Sequence, residues 1–147
     1  IAERLCAVTW GAEDLPAAIG AATSRDDHGL LLPYELVRSL ALFAGHAAGV
    51  AAIETVYPDF RNEPGLLAYA ARAARDGFTG MMAIHPNQIA VINAAFSPTP
   101  QQIEHARAVI AAFDANPGAG ALQLDGKMID APHFREAIAV LTRASPG

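Results

Sequence analysis

Leu5-Cys6-Ala7-Val8-Thr9-Trp10-Gly11-Ala12-Glu13-Asp14-Leu15 is an apolar run that ends abruptly in a glycine and two carboxylates. Residues 5–10 have the length and β-branched content of a buried parallel strand. A carboxylate just past the C-terminal end of such a strand suits a hard cation. The glycine beside it lets backbone N–H groups approach an anionic substrate. Asp14 would equally suit a helix N-cap or a turn. The rest of the chain bears on that choice, because the same pattern returns twice.

Residues 50–57 are apolar until Glu54 interrupts near the C-terminal end, and residues 80–86 are apolar until His85. Helical periodicity fills the intervals. Residues 33–48 place Leu36, Val37, Leu40, Phe43, Ala44 and Ala47 on one expected buried face. Pro33 suits that helix's first turn and Gly49 its end. Residues 63–76 turn Leu66, Leu67, Ala70, Ala71 and Ala74 inward, with Gly77 as cap. A short helix is expected over 88–95, and Thr99-Pro100 opens another to about 115, burying Ile103, Ala106, Ile110 and Phe113. Strands joined by helical crossovers run parallel and want both faces covered. All three carry their polar residues at the same end. That distribution marks the catalytic face of an α/β barrel. An open doubly wound sheet shares it, but its glycine-rich dinucleotide fingerprint is missing.

The last part differs. Residues 116–120 are a Pro- and Gly-rich linker, and residues 121–129 alternate as a hairpin around Asp125-Gly126. Asp130-Ala131-Pro132 opens a final helix whose apolar residues are Phe134, Ile138 and Leu141, with Asp130 as a good N-cap. The expected organisation is therefore a barrel portion over 1–116 and a hairpin–helix lid over 117–147.

Hydrophobic residues make up 52% of the chain and charged ones 17%, enough for a core and too apolar for disorder. A net charge of −5 argues against nucleic acid and anionic membranes as partners. No apolar run reaches spanning length, and the opening residues show no signal peptide. Cys6, the single cysteine, excludes a disulfide framework. It reads as a small core residue in a reducing, cytoplasmic setting. Asp26, Asp27 and His28 read as a solvated turn rather than a metal cluster. His46 suits the surface at a helix C-terminus.

Four stretches together resemble the HpcH/HpaI aldolase and citrate lyase beta subunit family, which includes malyl-CoA lyase. They are Gly11-Ala12-Glu13-Asp14-Leu15, Ala52-Ile53-Glu54-Thr55-Val56-Tyr57-Pro58-Asp59-Phe60, residues 77–89 with His85-Pro86-Asn87-Gln88, and Asp125-Gly126-Lys127-Met128-Ile129-Asp130-Ala131-Pro132. The resemblance implies the C-terminal portion of a (β/α)8 TIM barrel, about strands six to eight, plus the lid. It implies a carbon–carbon lyase that cleaves or forms a 3-hydroxyacyl-CoA, of the citryl-CoA or malyl-CoA class, by retro-Claisen or aldol chemistry. The products are an acyl-CoA and a 2-oxo acid, and Mg2+ is the cofactor.

Under that resemblance Asp14 is a magnesium ligand, and backbone N–H groups of Gly11, Ala12, Glu13 and Asp14 hold the oxo acid. Glu54, His85 and Pro86 lie on the coenzyme A side. Asp130 is the proton-handling carboxylate, delivered by the lid of a neighbour in a homotrimer, with a pKa that closure raises. The family's other metal-binding Glu and an assisting Arg have no counterpart here. Departures are Glu54 for a common Asp, Asn62 for a frequent Asp, and Met81 for the Lys usual after Gly80. A malyl-CoA thioesterase on the same fold, and a non-catalytic half-barrel binding or assembly subunit, are the alternatives.

Overall fold

The computed structural model describes residues 2–144. After a 3-10 turn at Ala2–Arg4, the chain enters β1 (Ala7–Val8), α1 (Leu15–Ile19) and a small hairpin, β2 (Arg25–Asp26) and β3 (Gly29–Leu30). There follow α2 (Leu32–Ala48), β4 (Ala51–Glu54), α3 (Glu63–Asp76), β5 (Gly80–Met81), a 3-10 turn (Pro86–Gln88) and α4 (Ile89–Phe96). The remaining elements are α5 (Pro100–Asp114), β6 (Ala121–Leu124), β7 (Lys127–Asp130) and α6 (Ala131–Ala144).

The sheet order is β1-β4-β5, with Ala7 opposite Ala51 and Ile53 opposite Gly80, both pairings parallel. The expected parallel core is therefore present, in shorter strands than the apolar runs suggested. All three tips point to one rim. Cys6 is exposed rather than packed inside, because β1 is the outer strand of this three-stranded sheet.

Alternation along β4 buries Ala52 and Glu54 on one face. That face looks at α2: a Cβ on Gly45 would stand 3.0 Å from the Ala52 Cβ and 3.3 Å from its Cα. Glycine is thus what lets helix and strand touch. The expected α2 face is corrected here. Tyr34, Arg38, Leu42 and Gly45 are the buried residues, while Leu36, Leu40 and Phe43 lie on the exposed side. Amphipathic reading failed because the inward stripe carries an arginine and a tyrosine. On α3, Leu66, Ala70 and Ala73 are buried, whereas Leu67 and Ala71 are exposed. Leu42, Ala52, Ala73 and Phe78 form one apolar cluster, and Trp10, Ala12 and Tyr34 another.

The helix ends follow local chemistry. Gly49 and Gly77 close α2 and α3 in the left-handed conformation, and the His46 imidazole joins these ends by bonding the Gly77 carbonyl at 2.9 Å. Asn62 caps α3 by accepting from the Gly65 N–H.

The second compact unit begins at Ser97, so α5 packs with the hairpin and α6. The reason is a shared core of Ala106, Val109, Ile129, Ala137 and Val140. Thr99 and Gln102 form a capping box at the start of α5. The hairpin turns at Asp125 and Gly126, both at positive φ, the signature of its tight turn. In α6, Phe134 and Leu141 are half-buried and Ile138 is exposed.

Candidate active site

Buried polar side chains join the strand tips beneath the rim. Glu54, fully buried, accepts from the Trp10 indole N–H at 2.7 Å and the Thr55 N–H at 2.9 Å through Oε1, and from Arg38 Nε at 2.6 Å through Oε2. Arg38 also reaches Asp76 at 2.8 Å, and Arg72 links Asp76 to Glu35. Burial works against the charge on Arg38, and the Glu54 and Asp76 carboxylates more than offset it, so its pKa lies above the usual value. Strand alternation turns the Glu54 carboxylate toward α2, where internal donors fill it.

One loop presents Asp14. Thr55 Oγ1 accepts from the Ala12 N–H at 3.2 Å, and the Leu15 N–H donates to the Gly11 carbonyl at 3.1 Å. Ala12 is fully buried and its N–H is taken by Thr55, so it supports the loop. Asp14 occupies the N-cap position of α1 without a side-chain capping bond, and its side of the loop is exposed. Its carboxylate folds back over Gly11, where an added Cβ would lie 2.9 Å from Oδ2. An exposed carboxylate without an internal cap bond is a hard oxygen donor of the kind a divalent cation takes. Among the described residues no three His, Cys, Asp or Glu side chains gather as a metal cluster, and Asp14 is an exposed carboxylate on the rim loop. Glu13 pairs with Arg25 at 3.0 Å, which ties its side chain to the β2–β3 hairpin.

Gln88 joins the other two tips. Buried, it donates to the Tyr57 carbonyl and accepts from the Ile84 N–H, each at 2.9 Å. His85 Nδ1 accepts from the Asn87 N–H, which orients the turn beginning at Pro86. Its ring stacks on Phe60 at 4.8 Å between centroids, and Arg61 lies 5.4 Å from the Phe60 centroid. These groups line a cleft of about 460 Å3 with Glu63, Leu66 and Asn87. A second cleft of about 620 Å3 lies between the hairpin and α3, lined by Arg25, His28, Tyr57, Asp59, Tyr69 and Arg72 among others. The Asp26 carboxylate accepts from the His28 N–H within the β2–β3 turn.

In the second unit, Asp130 ends β7. Its Oδ1 lies 2.6 Å from His133 Nδ1, so the carboxylate engages a side chain one turn on instead of serving as a plain N-cap. The hydrogen bond from His133 holds the exposed Asp130 carboxyl below the ordinary range. Neither Trp10, Arg38 nor His133 stood out beforehand. A lone arginine on an apolar helix, opposite a lone glutamate in an apolar strand, was the available signal for the buried pair.

A carboxylate-bearing loop and two further tips on the rim of a parallel sheet define a strand-end site of the α/β type. The family model for HpcH/HpaI aldolase/citrate lyase matches residues 1–86, and the chain belongs to that family. It is 43% identical over 143 residues to the mitochondrial citramalyl-CoA lyase of Mus musculus, covering 96% of this chain and 41% of the relative. It is 38% identical over 144 residues to the citrate lyase subunit beta of Escherichia coli K12, covering 97% and 46%. The crystal structure of CitE from Mycobacterium tuberculosis in complex with magnesium, acetoacetate and coenzyme A superposes with a TM-score of 0.81 at 37% identity, over 92% of this chain and 51% of that one. The chain thus spans about half the length of the relatives it matches.

Proposed function

We propose that the full-length protein is a Mg2+-dependent carbon–carbon lyase of the citrate lyase beta type. It cleaves or forms a 3-hydroxyacyl-CoA to or from an acyl-CoA and a 2-oxo acid, and this chain supplies strands six to eight of a (β/α)8 barrel and the lid. The observation that carries the reading is the exposed Asp14 carboxylate cradled on Gly11, on a loop pinned to the tip of β4. The CitE structure that resembles this chain contains magnesium and coenzyme A, the groups the reading requires.

Asp14 is the ligand this chain offers to Mg2+, with a second carboxylate from the remainder of the barrel. The ion, when bound, supplies Lewis-acid polarisation of the oxo-acid carbonyl. Backbone N–H groups of Gly11, Glu13 and Asp14 orient the oxo-acid carboxylate, a role from which buried Ala12 is withdrawn. The His85–Phe60 stack, with Arg61 beside it and Pro86 opening the next turn, gives the coenzyme A nucleotide a flat surface and a cation. Asp130, brought by a neighbouring subunit's lid in a homotrimer, takes the proton from the acyl methyl in condensation and returns it in cleavage. The outer face of α2, with Leu32, Leu36, Leu40 and Phe43 exposed, gives assembly an apolar surface to bury. A reducing compartment such as the cytoplasm completes the reading.

The test is to incubate the full-length protein with citramalyl-, malyl- and citryl-CoA, with Mg2+ and with a chelator. Formation of an acyl-CoA and a 2-oxo acid only with Mg2+ supports the lyase. Free CoA and the intact hydroxy acid indicate the thioesterase, and no turnover indicates the non-catalytic half-barrel.

A further inference from the structure

We infer that Glu54 is a positioning residue for the Asp14 loop: from the tip of β4 it holds the residue before Gly11 in place, and its neighbour Thr55 holds the residue after. The inference rests on the reading of Asp14 as a metal ligand. Its basis is a convergence of donors. Three N–H groups, from the Trp10 indole, the Thr55 backbone and the Arg38 guanidinium, fill the two oxygens of one carboxylate that is wholly out of solvent.

A buried carboxylate facing only donors is fixed in place, because every displacement leaves one of them unpaired. Trp10 is itself buried, so its indole cannot swing away to water. The peptide that follows, Gly11-Ala12, is then gripped from both sides, by the Glu54–Trp10 bond and by the Ala12 N–H on Thr55 Oγ1. Between those grips and α1 the chain has little freedom. The Leu15 N–H returns to the Gly11 carbonyl, the Ala18 N–H to the Asp14 carbonyl, and the Asp14 carboxylate lies against Gly11. The backbone that carries Asp14 is thus held from β4, through a residue wholly out of solvent. Arg38 and Asp76 continue the network away from the site, and Arg72 and Glu35 form its outer end.

Glu54 suits this task because three donors need a group with several lone pairs and no proton of its own. Glutamine offers one carbonyl oxygen and an NH2 that would face a donor. Aspartate keeps the carboxylate but is one methylene shorter, so it restores part of the grip.

The test uses the full-length protein and Mn2+ as the probe for the ion, with bound metal read by electron paramagnetic resonance and stability read by thermal denaturation. Glu54→Gln and Trp10→Phe are expected to raise the Mn2+ dissociation constant by roughly tenfold, the usual effect of removing a group that orients a metal ligand. Glu54→Asp is expected to recover part of that loss. Arg72→Gln, which cuts the outer end of the network, lowers the melting temperature and leaves Mn2+ affinity unchanged. Trp10→Phe keeps the test decisive if Glu54→Gln does not fold, since it removes the N–H and retains an aromatic ring in the core. Melting temperatures that fall while Mn2+ affinity stays at the wild-type value in both Glu54→Gln and Trp10→Phe would overturn the inference. Unchanged affinity in Asp14→Ala would instead overturn the metal site on which it rests.

Discussion

Two carboxylates, Asp14 and Asp130, are asked to do chemistry, and their surroundings separate their roles. Asp14 lies over a glycine with no cap bond of its own, open toward the rim. Replacing it by Ala in the full-length protein is expected to abolish Mg2+-dependent turnover while stability changes by no more than about 0.5 kcal/mol, as for other exposed side chains. An unchanged rate in that variant removes Asp14 from the reaction. Asp130 is ionised more readily than a free carboxylate because His133 bonds to it, with Arg135 adding a smaller pull. His105 and Glu136 line the same small recess as His133. A depressed pKa keeps the base form of Asp130 available to lower pH. His133→Ala therefore shifts the acid limb of the condensation rate upward in pH, and His133→Asn, which retains a donor near the Nδ1 position, shifts it less. A pH–rate profile of each variant checks the sign.

At the level of elements, closeness between helix and strand decides what is tolerated. Gly45 in α2 sits against Ala52 of β4, where an added methyl would meet Cβ at 3.0 Å and the backbone Cα at 3.3 Å. Ala favours a helix over Gly by about 1 kcal/mol, yet overpacking against a buried strand costs about 1–3 kcal/mol. Gly45→Ala is thus expected to lower stability in chemical denaturation; a gain would show that β4 yields. In the second unit the Thr99–Gln102 capping box closes the start of α5. Thr99→Ala should cost about 1 kcal/mol there, read as an earlier denaturation midpoint at unchanged slope. Such caps, the Asp125-Gly126 turn and the bounds of α3 were legible in the sequence because each depends on residues a few positions apart. The buried face of α2 was not. Its inward stripe holds Tyr34 and Arg38, whose burial depends on partners, Trp10 and Glu54, that are distant in the chain. Periodicity cannot see those partners, and it assigned the exposed Leu36, Leu40 and Phe43 inward instead.

Across the whole chain, three parallel strands bring Asp14, Thr55 and the Tyr57–Gln88 bond to one end of the sheet. The sequence revealed that shared end through the position of its polar residues. It could not reveal that Glu54 turns away from the mouth, because strand alternation decides the side and the exact strand bounds were too long by several residues. Buried ion pairs such as Arg38–Glu54 add little net stability. Their value here is geometric, holding two strand tips and a helix in one arrangement. In the proposed reaction this arrangement presents Asp14 to a divalent ion at the rim. Anomalous diffraction from crystals of the full-length protein grown with Mn2+ tests it most directly. The account predicts a peak within bonding distance of an Asp14 carboxylate oxygen, on the side away from Glu54. A peak elsewhere, with Asp14 bonded only within the protein, would contradict it.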